Sequence, residues 1–143
     1  MRVHLLILLL FNLIPALASA EYLGDLSVNP FDSDSTANPY GAGNPFFPNS
    51  ITNEFGRYGS PPSSTSATNP YATDVPKLSD QQGSYRGNLS TNSYDPDSTS
   101  NSFGRYGSPF SPDSINNPYG AGSPYRSESP ANPYGRGLRI EGR

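Results

Sequence analysis

Apolar residues are distributed very unevenly along this chain. Residues 5–17 are almost continuously apolar; they follow a basic start at Arg2 and precede the small-residue motif Ala18-Ser19-Ala20. This order of charge, apolar run and A-x-A motif is typical of a secretory signal peptide. The run falls short of the roughly 20 apolar residues that a membrane-spanning helix needs. The sequence therefore predicts a signal peptide over residues 1–20, cleavage between Ala20 and Glu21, and no stable membrane insertion after cleavage.

Beyond residue 20 the apolar positions are mostly aromatic, and they recur at a fixed spacing. Sixteen Tyr and Phe residues stand there against only ten Val, Ile or Leu residues. Much of 21–72 returns in 85–143 at an offset of 63 residues, whereas 73–84 lacks the repeated motif. Internal repeats of this kind pack on their neighbours to build an array. We predict a first long repeat over 21–72, a linker over 73–84, and a second long repeat with a short C-terminal tail over 85–143.

Within each long repeat, an Asn-x-aromatic-Gly motif recurs every 15 or 16 residues. The residues Ser111-Pro112-Asp113 have the chemistry of a helix start, and Asn-Pro-Tyr-Gly is good turn chemistry. We therefore predict a mostly irregular fold of tandem turn units. Each unit has a one-turn helix and an Asn-Pro-Tyr-Gly turn, and the rings pack between units as a thin aromatic layer. Because about half of the chain after residue 20 is Ser, Pro, Gly or Asn, partial or complete disorder is the alternative.

The run RYGSPFSPDSINNPYGAG over residues 105–122 resembles a family of small bacterial exported proteins of unknown function that carry tandem units of this kind. The opening Tyr22-Leu23-Gly24 and the closing segment from Asn132 to Leu138 are similar to the two ends of those proteins. The resemblance covers nearly the whole chain after residue 20. It implies an exported location, periplasmic or secreted, and no assigned activity.

The composition excludes several classes of chemistry. The chain has no Cys, and its only His is His4, which leaves with the predicted signal peptide. Nucleophiles assisted by His, and zinc, copper and haem sites, need His or Cys side chains. We therefore predict that the protein is not an enzyme and holds no cofactor.

Two pairs of acidic residues are the weak candidates for a metal site. They are Asp32 and Asp34 in the first repeat and Asp95 and Asp97 in the second. Carboxylate oxygens beside Ser and Asn oxygens suit a hard cation such as calcium, although neither an EF-hand loop nor a Gly-rich calcium repeat is present. Capping of the short helical turns is the simpler interpretation of the same residues.

The charge balance and the aromatic residues indicate which classes of partner the protein can bind. After residue 20 there are eight Lys or Arg against twelve Asp or Glu, which disfavours nucleic acid despite the Arg-Tyr-Gly segments at Arg57 and Arg105. The sequence favours an exported, non-enzymatic structural or interaction module with an unknown envelope or extracellular partner and an unknown oligomeric state. The alternative is a low-affinity calcium- or glycan-binding module, since Tyr is common at recognition surfaces.

Overall fold

The computed structural model describes residues 20–143, so the predicted signal peptide lies outside the described residues except for Ala20. Four strands form one antiparallel sheet: β1 (Glu21–Leu26), β2 (Lys77–Ser79), β3 (Tyr85–Asn88) and β4 (Leu138–Gly142). Their order in the sheet is β1-β4-β2-β3. A first coil, residues 27–76, connects β1 to β2, and a second coil, residues 89–137, connects β3 to β4. The segment predicted to be a linker, 73–84, therefore contains a central strand.

The sheet repeats the internal duplication of the sequence. At an offset of 63 residues, β1 corresponds to β3 and β2 corresponds to the end of β4. The two halves of the sheet are therefore related by a pseudo-two-fold axis that passes between the central strands, β4 and β2. On that axis Leu78 pairs with Ile140. The outer strands each contain a glycine with positive φ, Gly24 at 109° and Gly87 at 106°. Only glycine adopts such angles without strain, and both lie where the register of a pairing shifts.

Each coil is a continuous series of tight turns rather than a chain of helical units. In both coils a backbone N–H bonds to the carbonyl three residues earlier at almost every third residue, as at Ser35, Asn38 and Gly41. The prediction of an irregular, partly or wholly disordered chain with one-turn helices is therefore wrong. The described residues contain four strands and no helix.

The residues taken for a helix start instead build a turn. Ser114 N–H bonds to the carbonyl of Ser111 at 3.2 Å, and Asp113 N–H bonds to the Ser111 hydroxyl at 3.4 Å. Ser at the first position and Pro at the second suit a β-turn as well as they suit a helix start. A new turn begins after three residues, and the frequent prolines lack the N–H groups that a helix would need.

Hydrogen bonds between residues nine apart link each turn to the third turn after it. Backbone examples are Ala42 to Ser33 at 2.9 Å and Ala121 to Pro112 at 2.9 Å. Buried serine side chains fill the inside of the coils and recur every 15 or 16 residues within each half; they are Ser35, Ser50, Ser66, Ser98, Ser114 and Ser129. The coils are therefore held by satisfied polar groups, which explains how a chain with few aliphatic residues is ordered.

The apolar core lies at the sheet and not inside the coils. Leu23, Tyr58, Leu78, Leu138 and Ile140 form one buried cluster. Partly buried side chains from both halves pack against this cluster; they are Leu26, Ile51, Leu89 and Ile115. Nearly all the aliphatic residues after residue 20 are thus used to join the two coils through one small core.

Each coil contains one turn that is a residue longer and that buries a tyrosine. At these places Ser60 N–H and Ser108 N–H bond to carbonyls four residues earlier instead of three. Tyr58 lies in the longer turn of the first coil and Tyr106 in that of the second. In the duplication, Ala121 corresponds to Tyr58 and Ala42 corresponds to Tyr106. The two one-residue shifts in the repeat therefore mark where the core takes a ring.

Candidate interaction surface

Eleven aromatic side chains are almost fully exposed, each at 87–97% of its surface. They are Phe31, Tyr40, Phe46, Phe55, Tyr71, Tyr94, Phe103, Phe110, Tyr119, Tyr125 and Tyr134. The prediction that Tyr and Phe pack between units as an aromatic layer is therefore wrong for these rings. Where such rings lie next to one another, they form the exposed apolar patches that mark interaction sites.

The backbone beneath every one of these rings is fixed in the same way. Each ring lies two residues after an Asn or Ser whose side-chain oxygen accepts the N–H of the aromatic residue at 2.9–3.3 Å. Nine of the acceptors are Asn, and Ser108 and Ser123 are the other two. Proline stands between acceptor and ring at eight of the eleven positions. Asn or Ser followed by Pro is the chemistry of a type I turn, which leaves the ring at a set position.

The same asparagines also tie the ring-bearing turns to the preceding part of the coil. In six of them the side-chain N–H₂ donates to the carbonyl six residues earlier at 2.9–3.1 Å; they are Asn38, Asn53, Asn69, Asn101, Asn117 and Asn132. The oxygen and the nitrogen of each side-chain amide are therefore both hydrogen-bonded within the coil. The asparagine of the Asn-x-aromatic-Gly motif positions the ring, and the aromatic residue is the part that is open to a partner.

Two pairs of exposed rings enclose clefts, which we call the ring clefts. The first, of about 420 Å³, lies between Phe46 and Phe55, and the second, of about 290 Å³, lies between Tyr71 and Tyr94. The rest of the first lining is Pro45, Thr52, Asn53 and Glu54, and the rest of the second is Pro70, Thr91, Asn92 and Ser93. Each cleft therefore combines two rings and a proline with hydroxyl and amide groups.

The ring clefts were missed by the sequence prediction, although the sequence carries a signal for the first. Phe46 and Phe55 are nine residues apart, and the same spacing separates Phe31 from Tyr40 and Phe110 from Tyr119. Nine is also the separation of the hydrogen bonds that link successive parts of the coil. The second cleft joins the end of the first coil to the start of the second, so only the tertiary fold could reveal it.

A cavity of about 350 Å³ lies beside Ala121, where the second half lacks the ring that Tyr58 provides in the first. Charged side chains line this cavity. Arg86 donates to Asp80 at 2.9 Å and lies 3.5 Å from Asp113, which also accepts a bond from Arg105 at 2.7 Å. These charges satisfy one another, so the cluster joins β3 to the second coil.

The buried carboxyl of Asp80 remains charged because of its hydrogen bonds. Burial alone would raise its pKa, but N–H groups of Ser84 and Gln82 and the Arg86 guanidinium together hold the pKa below its ordinary value. Asp80 therefore closes the tight connection between β2 and β3 as an ionised hydrogen-bond acceptor.

The four acidic calcium candidates lie at the equivalent starts of the two coils. Asp32 and Asp95 accept the N–H groups of Asp34 and Asp97 at 2.9 Å. No group of three acidic, His or Cys side chains suited to a metal ion occurs in residues 20–143. The structure thus shows turn-stabilising bonds at Asp32 and Asp95.

In the Arg-Tyr segments the tyrosines are buried, whereas Arg57 and Arg105 lie at the surface. Arg57 lies over the buried Tyr58 ring at 5.3 Å and Arg105 over the Tyr106 ring at 5.5 Å. A ring that is already covered cannot stack on a base, so these segments have a structural role.

Asp25 in β1 is a fully buried carboxyl whose two oxygens both lack a hydrogen-bond partner. Burial raises its pKa, and the nearby Tyr22, Arg136 and Gln81 only partly oppose that shift. The equivalent residue in the other half is Asn88, which accepts a bond from Tyr85 at 2.6 Å and donates to Asp95 at 2.9 Å. An amide is therefore satisfied where the carboxyl is not.

We expect Asp25→Asn to stabilise the protein at neutral pH by about 1–3 kcal/mol, the usual penalty of a buried unsatisfied polar group. Because the folded-state pKa of Asp25 is raised, protonation of its carboxyl stabilises the folded protein. This stabilisation is fully present below the unfolded-state pKa and is lost as pH rises through the folded-state pKa. The difference between variant and wild type in urea unfolding should therefore grow with pH above about 4. The exposed Asp97→Asn is the control, and equal stability of Asp25→Asn and wild type at pH 7 would contradict the prediction.

No protein-family model matches this chain, and no curated protein or solved structure is detectably similar to it. The resemblance to exported bacterial repeat proteins therefore stays a prediction. The part of the chain seen in the structure has no helix long and apolar enough to cross a membrane.

Proposed function

We propose that the protein is an exported, non-enzymatic interaction module that presents aromatic rings to a partner in the periplasm or outside the cell. The display of eleven rings on hydrogen-bonded turns carries this proposal. Tyr, Ser, Gly and Asn are also the residues that antibodies use for recognition, because a rigid ring offers contact area at a low entropy cost. Export is supported by the charge, apolar run and A-x-A motif of residues 1–20.

The rings are expected to serve binding and not folding. Because they are exposed in the folded protein, unfolding brings almost none of their surface into water. We expect a variant with Tyr94, Phe103 and Tyr119 replaced by Ser to keep its free energy of unfolding within about 1.5 kcal/mol of wild type, the sum of three surface substitutions.

The same triple variant tests the proposed function. Wild-type protein should be retained on washed envelope material from the source cells, and the variant should be retained at least about tenfold less, since three contact rings are lost. Its control replaces the exposed Ser64, Gln82 and Ser102, which line neither ring cleft, with Ala and leaves every ring in place. Equal retention of the ring variant and wild type would contradict a role of these rings in binding.

A further inference from the structure

Prolines apart, the large apolar side chains exposed on this protein are almost all aromatic, which narrows the chemistry of its partner. Val28 is the one exposed Val, Ile or Leu residue in 20–143. The other Val, Ile and Leu residues in that range are buried or partly buried. The centres of protein interfaces enrich Met and Arg beside aromatic residues, whereas neither Met nor Arg lines the ring clefts. A surface of rings on a background of Ser, Asn, Thr and Gly suits a ligand with a thin apolar face and many hydroxyls.

We propose that the two ring clefts bind the pyranose rings of a neutral polysaccharide, an inference that rests on the proposed function. The C–H groups on one face of a sugar ring carry partial positive charge, and the face of an aromatic ring is negative. Each cleft is lined by two aromatic rings that offer such faces, and a proline adds apolar surface beside them. The sugar hydroxyls would then meet hydroxyl groups of the lining, which in the second cleft are the exposed Thr91 and Ser93.

The charge of the clefts favours a neutral polymer over an acidic one. Glu54 is the one charged residue that lines either ring cleft, and no Lys or Arg lines them. A polyuronate or a sulfated glycan would bring carboxylate or sulfate groups to a site without a cation to pair them. A neutral chain carries no such cost.

The repetition of ring pairs favours a polymer over a single sugar. Residues nine apart bear rings in both coils, and the second cleft pairs Tyr71 of the first coil with Tyr94 of the second. One sugar stacked in an open cleft is held weakly. A chain that meets several ring pairs at once gains affinity through the high effective concentration of its linked units.

The inference is tested with the protein from Glu21 to Arg143 and three soluble neutral polysaccharides: hydroxyethyl cellulose, glycol chitin and galactomannan. Affinity electrophoresis and calorimetry should show binding to at least one of them. We expect Phe46→Ser with Phe55→Ser to weaken that binding by about tenfold, and Tyr71→Ser with Tyr94→Ser to do the same. Alginate, a polyuronate, should bind at least tenfold more weakly than the best neutral polymer.

Two matched controls separate the clefts from general surface effects. Val28→Ser removes an exposed apolar side chain that lines neither cleft, and Asp97→Asn removes an exposed charge outside both clefts. Both should leave the affinity for the neutral polymer within about twofold. Far-ultraviolet circular dichroism of every variant should match wild type, because the replaced side chains are exposed.

Failure of all three neutral polymers to bind, or binding that survives both double variants, would overturn the inference. Sedimentation of the protein alone distinguishes this failure from that of the proposed function. If wild type self-associates and the two double variants are monomeric, the rings bind a second copy of the protein. The polysaccharide inference is then overturned, while the proposed function as an interaction module stands. If the triple variant of Tyr94, Phe103 and Tyr119 also keeps full binding to envelope material, both proposals are overturned.

Discussion

Replacing Tyr58 with alanine is expected to lower the free energy of unfolding by about 3–5 kcal/mol, as for other large buried rings. The Tyr58 side chain is fully buried in the cluster with Leu23. Its hydroxyl, which has one hydrogen to donate, lies 2.9 Å from the Arg143 carbonyl oxygen and 3.1 Å from the Glu21 carboxylate. The ring therefore ties the longer turn of the first coil to both β1 and the end of β4. Urea unfolding followed by tyrosine fluorescence measures the loss.

Two further variants show which part of Tyr58 matters. Tyr58→Phe keeps the ring and removes the hydroxyl, so we expect a loss of about 1–2 kcal/mol, the usual value for a buried hydrogen bond. Tyr119→Ala removes a tyrosine ring that is 94% exposed, and we expect a change within about 0.5 kcal/mol. A Tyr58→Ala variant as stable as Tyr119→Ala would show that the first coil does not depend on this ring.

The sequence was sufficient for the parts of the fold that are set by local chemistry. Asn-Pro-Tyr-Gly segments are tight turns, as at Asn38 and Asn117, because Asn accepts a nearby N–H and Pro fixes the next φ angle. The duplication is also visible in the structure as the pseudo-symmetric sheet. The helical units failed because Ser-Pro-Asp-Ser stabilises the first turn of a helix and an isolated turn equally well, and only the next residues decide between them.

The strands were missed because their partners are distant in the chain. β4 alternates apolar and charged residues, Leu138, Arg139, Ile140 and Glu141, which is a strand pattern of period two. Its partners are β1, more than a hundred residues earlier, and the three-residue β2. Pairing of this kind depends on the whole fold and not on local propensity. The exposure of the rings was missed for a related reason, since the buried serines, and not the rings, fill the coils.

The order of the strands predicts that neither half of this protein folds as a monomer. The first half contains β1 and β2, which are separated in the sheet by β4, and the second half contains β3 and β4, which are separated by β2. Each half therefore holds two strands that do not pair with each other, and the shared core includes Leu23 and Leu78 from one half and Ile140 from the other. A sheet cannot form within one half alone, and single strands have no independent stability.

Cutting the chain at the connection between β2 and β3 tests this interlocking with little other disturbance. Gly83 in that connection has a φ of 91° and open space around it, and exposed loop tips of this kind tolerate a break. We expect fragments 21–82 and 83–143 to be unfolded as separate monomers and to regain the circular dichroism of the intact protein when mixed in equal amounts. The hydrogen-exchange protection of Leu78 and Ile140 should appear only in the mixture, because these two residues pair across the cut. A fragment that is folded and monomeric by sedimentation would show that each coil carries its own core, and the duplication would then be two domains side by side instead of one interlocked sheet.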